Sequence, residues 1–559
     1  MSISPIDYAI IILYLVGIVG LGVWAGIHRR RGGEGSHYFL AGNTLTWPVI
    51  GLAMFAANIS TVHLVSLAES AYKYGLIYGN FEWMAGFTLI LLSLFFAPLY
   101  LRSRVPTLPD YLERRFNRNC RDWLAVISMI SAVVIHIGVA LYTAAWVLRG
   151  LMGIPPEAMI LGIPALMFFI VVLGVLTGIY TMIGGLLAVV MTESVQTVLL
   201  LIGACCITVV GYVKIGGWAS LADTLATQPH PMAGAAGSTI TWGTGNFLTM
   251  LRSDGDPSGL PWYSILLGYP VLGIWYWCCD QTIVQRVLAA KDEKQARLGP
   301  LFCAFLKILP VFFFVLPGVI CVALVQRGMF NGEAPKAAAD TYTFMITHML
   351  PIGLKGLIAA AMLAAAMQTC SAALNSTATL FAFDIFKRWR PDTSDHQLVT
   401  IGKVTTVAAT VLAIVLSPIF GHYSTIIEGL NKLISYIAPP ITTVFLFGVF
   451  WRKATGKAAY ITLVAGALLG LVMFLLDWNG LYQGNFMMTA FYLLAICSAI
   501  MVAATSLYPE PLKDGAKLLV WENWREPLRG KVGGNVLGNY RVLAGSVLVT
   551  FIALYYVLR

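Results

Sequence analysis

Apolar runs of about twenty residues recur along the whole of this 559-residue chain, parted by short polar loops. A run of about 20 residues, rising 1.5 Å each as a helix, is what a bilayer crossing takes. The sequence predicts an all-α polytopic membrane protein with fourteen spans. A leading span covers 5–27. Ten core spans follow at about 46–72, 79–101, 122–151, 157–181, 185–213, 264–287, 298–326, 353–386, 397–418 and 424–450. Three trailing spans cover about 456–477, 486–508 and 540–558. Charged residues make up 11% of the chain, against about 25% in soluble domains.

The formal charge of +10 marks orientation and excludes nucleic acid as a partner. The basic residues gather in alternate loops, and the side they favour is the cytoplasm. Arg29, Arg30 and Arg31, Arg102 to Arg118, Arg286 to Arg297, Lys387 to Arg390, and Arg452 to Lys457 all fall on one side. Both termini are then external. The segment 509–539 is cytoplasmic and too short for a catalytic domain. The first apolar run precedes its arginines, the reverse of a signal peptide, so it is expected to stay as a span. Nine cysteines lie almost entirely within spans and show neither a disulfide framework nor metal spacing.

Two core spans are interrupted. In core span 1, small and polar residues break the apolar run at FAANISTVH, Phe55 to His63. In core span 6, GIWYWCCDQ, Gly273 to Gln281, sets an acid and an amide beside three aromatics. Backbone that loosens at bilayer depth must be buried in protein or line a cavity. Spans 1 and 6 correspond if 46–213 and 264–450 are repeats. Five spans is an odd number, so the second repeat is inverted, as in transporters whose site lies at broken helices near the midplane.

Several motifs, in order, resemble one family. GGLLAVVMTESVQ, Gly184 to Gln196, is similar to a signature of the sodium/solute symporters. WYWCCDQ with Val284-Gln285-Arg286 closely resembles a segment of their sodium–glucose cotransporter branch. LNSTAT, Leu374 to Thr379, with Asp384-Ile385, PTLPDYL from Pro106, and YIAPP from Tyr436 resemble further family segments. The resemblance implies a leucine-transporter-like, five-plus-five inverted-repeat core with helices 1 and 6 broken. It implies a non-enzymatic secondary transporter that carries a hexose-like sugar with sodium, as a monomer in the plasma or bacterial inner membrane, without a further cofactor.

By motif position the sodium ligands fall on Ala56, Ile59, Ala366, Thr369 and Cys370. Sodium, a hard cation, favours oxygen. The family has two serines where this chain has Thr369 and Cys370, and a soft sulfur suits sodium poorly. Proton coupling, or none, is the alternative that this substitution leaves open. A second cation site is not expected: Glu193 matches its acid, but Ala372 and Ala373 stand at its serine positions.

The resemblance places the sugar ligands on His63, Glu82, Tyr276, Lys307 and Asn431, with Gln281 near the span 6 break. Leu67, Phe81 and Ile427 form the external lid, and Tyr276 the internal one. Carboxylate, ammonium, amide and imidazole groups suit a polyol, and ionisable groups within spans are costly enough to be functional as a rule. The bland reading of Glu82 and Lys307 is a structural ion pair. Three departures leave the solute open: Asn431 replaces a glutamine, Gly273 stands where a bacterial galactose carrier has asparagine, and Glu69 replaces a small residue. Glu69 can also simply pair with Lys73 at i+4. His136 in core span 3 is expected to be a buried, hydrogen-bonded histidine. Another small polar solute, such as a polyol, vitamin or carboxylate, is the runner-up. A membrane sensor would need an appended signalling domain, and an intramembrane enzyme would need a motif that is absent.

Overall fold

The computed structural model describes residues 4–28, 38–155, 157–227, 247–336, 338–422, 426–482, 484–529 and 538–559. Arg29, Arg30 and Arg31 lie outside them, as do residues 530–537 of the segment 509–539. The described residues are mostly helical, with a two-residue antiparallel ribbon, Met159–Ile160 with Ile163–Pro164, and an isolated bridge between Leu45 and Ala290.

Among the described residues, eleven helices are long and apolar enough to cross a membrane. Three places account for the difference from fourteen. Core spans 4 and 5 run into each other as Ala165–Ile215, 51 residues. A straight helix of that length would measure about 77 Å, against about 30 Å of hydrocarbon. The chain breaks at Gly185, with φ 59° and ψ −158°, a conformation essentially reserved for glycine. A Cβ there would also meet the Tyr38 carbonyl oxygen at 2.5 Å. The other two places are core spans 1 and 6, each divided into shorter helices.

Core span 1 consists of Trp47–Asn58 and Thr61–Tyr74, with Ile59 and Ser60 extended between them. Core span 6 consists of Trp262–Ile274, a π-turn at Trp275–Cys279, an extended Asp280, and Gln281–Leu288. Core span 8, Leu354–Leu380, sits at the centre: 94% of its apolar window is buried, against 22% for the leading helix Pro5–His28. Small residues fit this position, because alanine lets neighbouring backbones approach closely.

The outer helices are fastened by specific polar contacts. Asp7 of the leading helix is fully buried and accepts from Gly353 N and Gly356 N at 2.8 and 2.7 Å, capping core span 8. The last helix, Tyr540–Val557, donates from Tyr555 OH to Asn80 at 2.8 Å. The segment after residue 508 docks through Trp521, whose indole donates to Phe95 O at 3.0 Å and whose backbone N–H donates to Val449 O at 3.0 Å. Arg115, in the short helix Leu108–Arg115, spends its guanidinium on the carbonyls of Gly448, Trp451 and Ala454. Burial there lowers its pKa to about 10.

Candidate functional site: a cavity at two interrupted helices

The break in core span 1 frees two carbonyls. In an unbroken helix Ser60 N would bond to Ala56 O, and His63 N to Ile59 O. Here Ser60 N donates to His63 Nδ1 at 3.3 Å, and His63 N donates to Ser60 O at 3.0 Å. Ser60 Oγ also lies 3.0 Å from His63 Nδ1. His63 thus caps the second half-helix through one ring nitrogen and keeps Nε2 for a ligand. Thr61 Oγ1 donates to Met362 O of core span 8 at 2.7 Å, pinning the two spans together at this level.

Ala56, Ile59, Ala366, Thr369 and Cys370 are all buried. Thr369 Oγ1 donates to Ala365 O at 3.3 Å, which leaves its lone pairs available. Cys370 Sγ faces elsewhere, 3.9 Å from Ile137 O in core span 3. Two freed carbonyls and a threonine hydroxyl are hard oxygen donors, the kind that a small monovalent cation favours. The sulfur adds little to that set.

The break in core span 6 is closed by protein. Asp280 caps Gln281–Leu288, its Oδ1 accepting from Thr282 N at 2.6 Å. Its Oδ2 lies 3.1 Å from His136 Nε2. Tyr100 OH donates to Cys278 O at 2.7 Å. Gln281 turns away from the break: its Oε1 accepts from Leu108 N at 2.8 Å, in the short helix Leu108–Arg115.

Between the two breaks lies a cavity of about 160 Å³, where one water needs about 10–15 Å³. Of the sugar candidates, His63, Glu82, Tyr276 and Asn431 line it; Lys307 and Gln281 do not. Lys307 stands behind the wall. Its Nζ donates to Glu82 Oε2 at 2.5 Å and also to Asn58 Oδ1. Glu82 and Lys307 are each 1% exposed. The Lys307 ammonium also lies 5.4 Å from the Trp277 ring centroid. The ion pair therefore holds Oε2 of Glu82, and Glu82 still lines the cavity. Thr369 of the cation set lines the same cavity.

The gate candidates separate. Phe81 and Asn431 line both this cavity and a second one, of about 680 Å³, bounded by Tyr74, Tyr78 and Phe486. They form the partition between the two. Leu67 is buried and lines neither. The side chain of Ile427 lies outside the described residues. Glu69 pairs with Lys73 at 2.7 Å. Glu193 and Arg286, both fully buried, pair at 2.5 Å, so the Glu193 carboxylate is already occupied.

Sequence reasoning passed over Asn58, Tyr269 and Trp277, which also line the cavity. Asn58 carried a signal, an amide at the last helical position before the break. His136 is buried and hydrogen-bonded to Asp280, and it lines the cavity as well.

Known proteins are similar to this chain over most of its length. A model of the sodium:solute symporter family matches residues 38–466. The chain belongs to the sodium:solute symporter family. It is 33% identical over 488 residues to sodium/glucose cotransporter 2 of Rattus norvegicus, covering 84% of this chain and 71% of that one. It is 32% identical over 499 residues to sodium/myo-inositol cotransporter 2 of Sus scrofa, covering 85% and 71%. A solved Na+-coupled sialic acid symporter in a substrate-bound, outward-open state superposes with a TM-score of 0.75 at 23% identity, over 91% of this chain and 99% of that one. That likeness establishes the shared fold of this multi-pass membrane transporter.

Proposed function

We propose that this chain is a sodium-coupled symporter of a sugar or closely related polyol, carrying it into the cell by alternating access. The observation that carries the reading is the shared segment at Phe55 to His63. It frees the Ala56 and Ile59 carbonyls on one side and presents Asn58 and His63 to the cavity on the other. Relatives named as glucose and myo-inositol cotransporters support the solute class.

In this reading a sodium ion binds Ala56 O, Ile59 O, Ala366 O and Thr369 Oγ1, with Cys370 contributing weakly. Glu82 accepts solute hydroxyl protons, Asn431 both accepts and donates, and His63 Nε2 completes the polar wall. The ring of Tyr276 stacks on the apolar face of the sugar and closes its inner side. Lys307 acts through Glu82, holding that carboxylate ionised and in place. Gln281 acts on inner closure through Leu108. Phe81, Leu67 and Ile427 form the outer lid. The committed Glu193 supports one cation per solute. Coupling follows if cation and sugar favour the same state, which requires about 1–3 kcal/mol.

The finer architecture belongs to the same proposal. Fourteen crossings comprise a leading span, inverted repeats at 46–213 and 264–450, and three trailing spans. Both termini face outward, the segment 509–539 faces the cytoplasm, and the protein works as a monomer in the lipid bilayer of the cell membrane.

Proteoliposome uptake tests it. Labelled glucose, galactose and myo-inositol are offered under an inward sodium gradient, a proton gradient, or neither. Uptake of at least one that depends on sodium is expected. Uptake driven by the proton gradient alone overturns the cation assignment, and no uptake of any overturns the solute class.

A further inference from the structure

Resting on that symport reading, we infer that Tyr269 is a specificity residue of the solute cavity, its ring filling the side-chain space left vacant at Gly273. The two residues stand at i and i+4 on core span 6, just before its break, so they share a helix face. Both line the cavity. A Cβ built on Gly273 would lie 2.7 Å from Tyr269 Cε1 and 2.9 Å from Thr88 Cγ2 of core span 2. Real Cβ atoms do not approach so closely, so glycine is required while the ring is there.

The ring is held from its far end. Tyr269 OH donates to Phe81 O at 2.9 Å. The rings of Tyr269 and Phe81 lie 6.3 Å apart at 68°, an edge-to-face contact. The tyrosine hydroxyl is therefore spent on protein, and the solute meets the carbon surface of the ring.

This wall cannot read a hydroxyl. A site that hydrogen-bonds a substrate hydroxyl rejects the analogue lacking it by large factors, whereas an apolar wall discriminates weakly. The cavity accordingly tolerates loss of the sugar hydroxyl that faces core span 6. A longer polar residue at 273, with the ring removed, would restore discrimination there.

The test uses the full-length protein in proteoliposomes, with glucose and its monodeoxy analogues as probes. Wild type is expected to carry at least one monodeoxyglucose within about threefold of glucose. In Y269L/G273N that analogue is expected to fall at least about tenfold relative to glucose, the worth of one buried hydrogen bond. A profile that superposes on wild type overturns the proposal. Packing is tested separately by a double-mutant cycle. G273A is expected to lower thermal stability and to weaken apparent sugar affinity about tenfold, and Y269L/G273A to regain both relative to G273A. A silent G273A, or additive effects, also overturns it. The thermal arm needs no substrate. A wild-type protein that carries none of these sugars overturns the symport reading and the specificity role together, while the cycle still reports whether ring and glycine are coupled.

Discussion

The two interrupted helices do the same thing to the backbone and opposite things with the result. In core span 1, Ser60 and His63 bond to each other and leave the Ala56 and Ile59 carbonyls without their helical donors. In core span 6, Tyr100 OH donates to the Cys278 carbonyl, and the Asp280 side chain caps Thr282 N with His136 at its other oxygen. On the proposed reading the carbonyls freed at the first break serve a cation, while the second break sets Tyr276 and Trp277 against the cavity. A broken helix at membrane depth is therefore a ligand site only where the protein withholds its own hydrogen bonds. The difference lies in neighbouring side chains, and the break itself does not report it.

Lys307 bridges the two breaks, and its removal should have the largest effect. It bonds to Asn58 beside the first break and lies over Trp277 of the second. Either K307A or E82A strands a buried charge, at a cost of about 3–5 kcal/mol. Both singles are expected to abolish sugar uptake and to lower the melting temperature of the purified protein. The pair replaced together, as E82Q/K307M, should recover much of the stability and none of the transport. Uptake by the double variant would show that the pair is structural only.

Next come two variants that separate the breaks. Y100F strands the Cys278 carbonyl, an unmade buried hydrogen bond worth about 1–3 kcal/mol. Stability should fall while the sodium dependence of uptake stays as in wild type. S60A removes the hydroxyl that lies 3.0 Å from His63 Nδ1 beside the freed carbonyls, at about 1 kcal/mol. Stability should fall less, and half-maximal uptake should need more sodium. A sodium shift in Y100F and none in S60A would reverse the assignment of the open and the sealed break.

The helical membrane fold was legible because apolar length is a local property that any window reports. The breaks were legible for the same reason: Asn58, Ser60 and Asp280 are polar residues inside apolar runs. Glu82 and Lys307 stood out as charges, but their direct pairing, and the placement of Lys307 behind the wall, depend on the packing of core spans 2 and 7. The turn of Gln281 toward Leu108 depends on a contact across 173 positions of the chain. The π-turns that bring His136 and Tyr276 to the cavity, Ala132–Gly138 and Trp275–Cys279, have no composition of their own. In the sequence Tyr269 is one more aromatic in a greasy span; its meaning comes from the glycine one turn later and from a carbonyl on another helix.

The smallest effect expected is at Cys370, where the open break meets core span 8. The thiol faces Ile137 O at 3.9 Å, too far and too soft to bind either partner strongly. In C370S the shorter, harder hydroxyl has two choices. Turned toward the cation it adds an oxygen ligand, and the sodium concentration for half-maximal uptake should fall about threefold, which is less than 1 kcal/mol. Turned toward core span 3 it would tighten the contact with Ile137 and leave sodium affinity alone. Sodium-induced thermal stabilisation separates the two, since a ligand that binds only the folded state raises the melting temperature by an amount that grows with the logarithm of its affinity. A larger sodium-dependent shift in C370S than in wild type places residue 370 in the cation site. An equal shift limits the site to the two freed carbonyls, Ala366 and Thr369, and leaves Cys370 outside it.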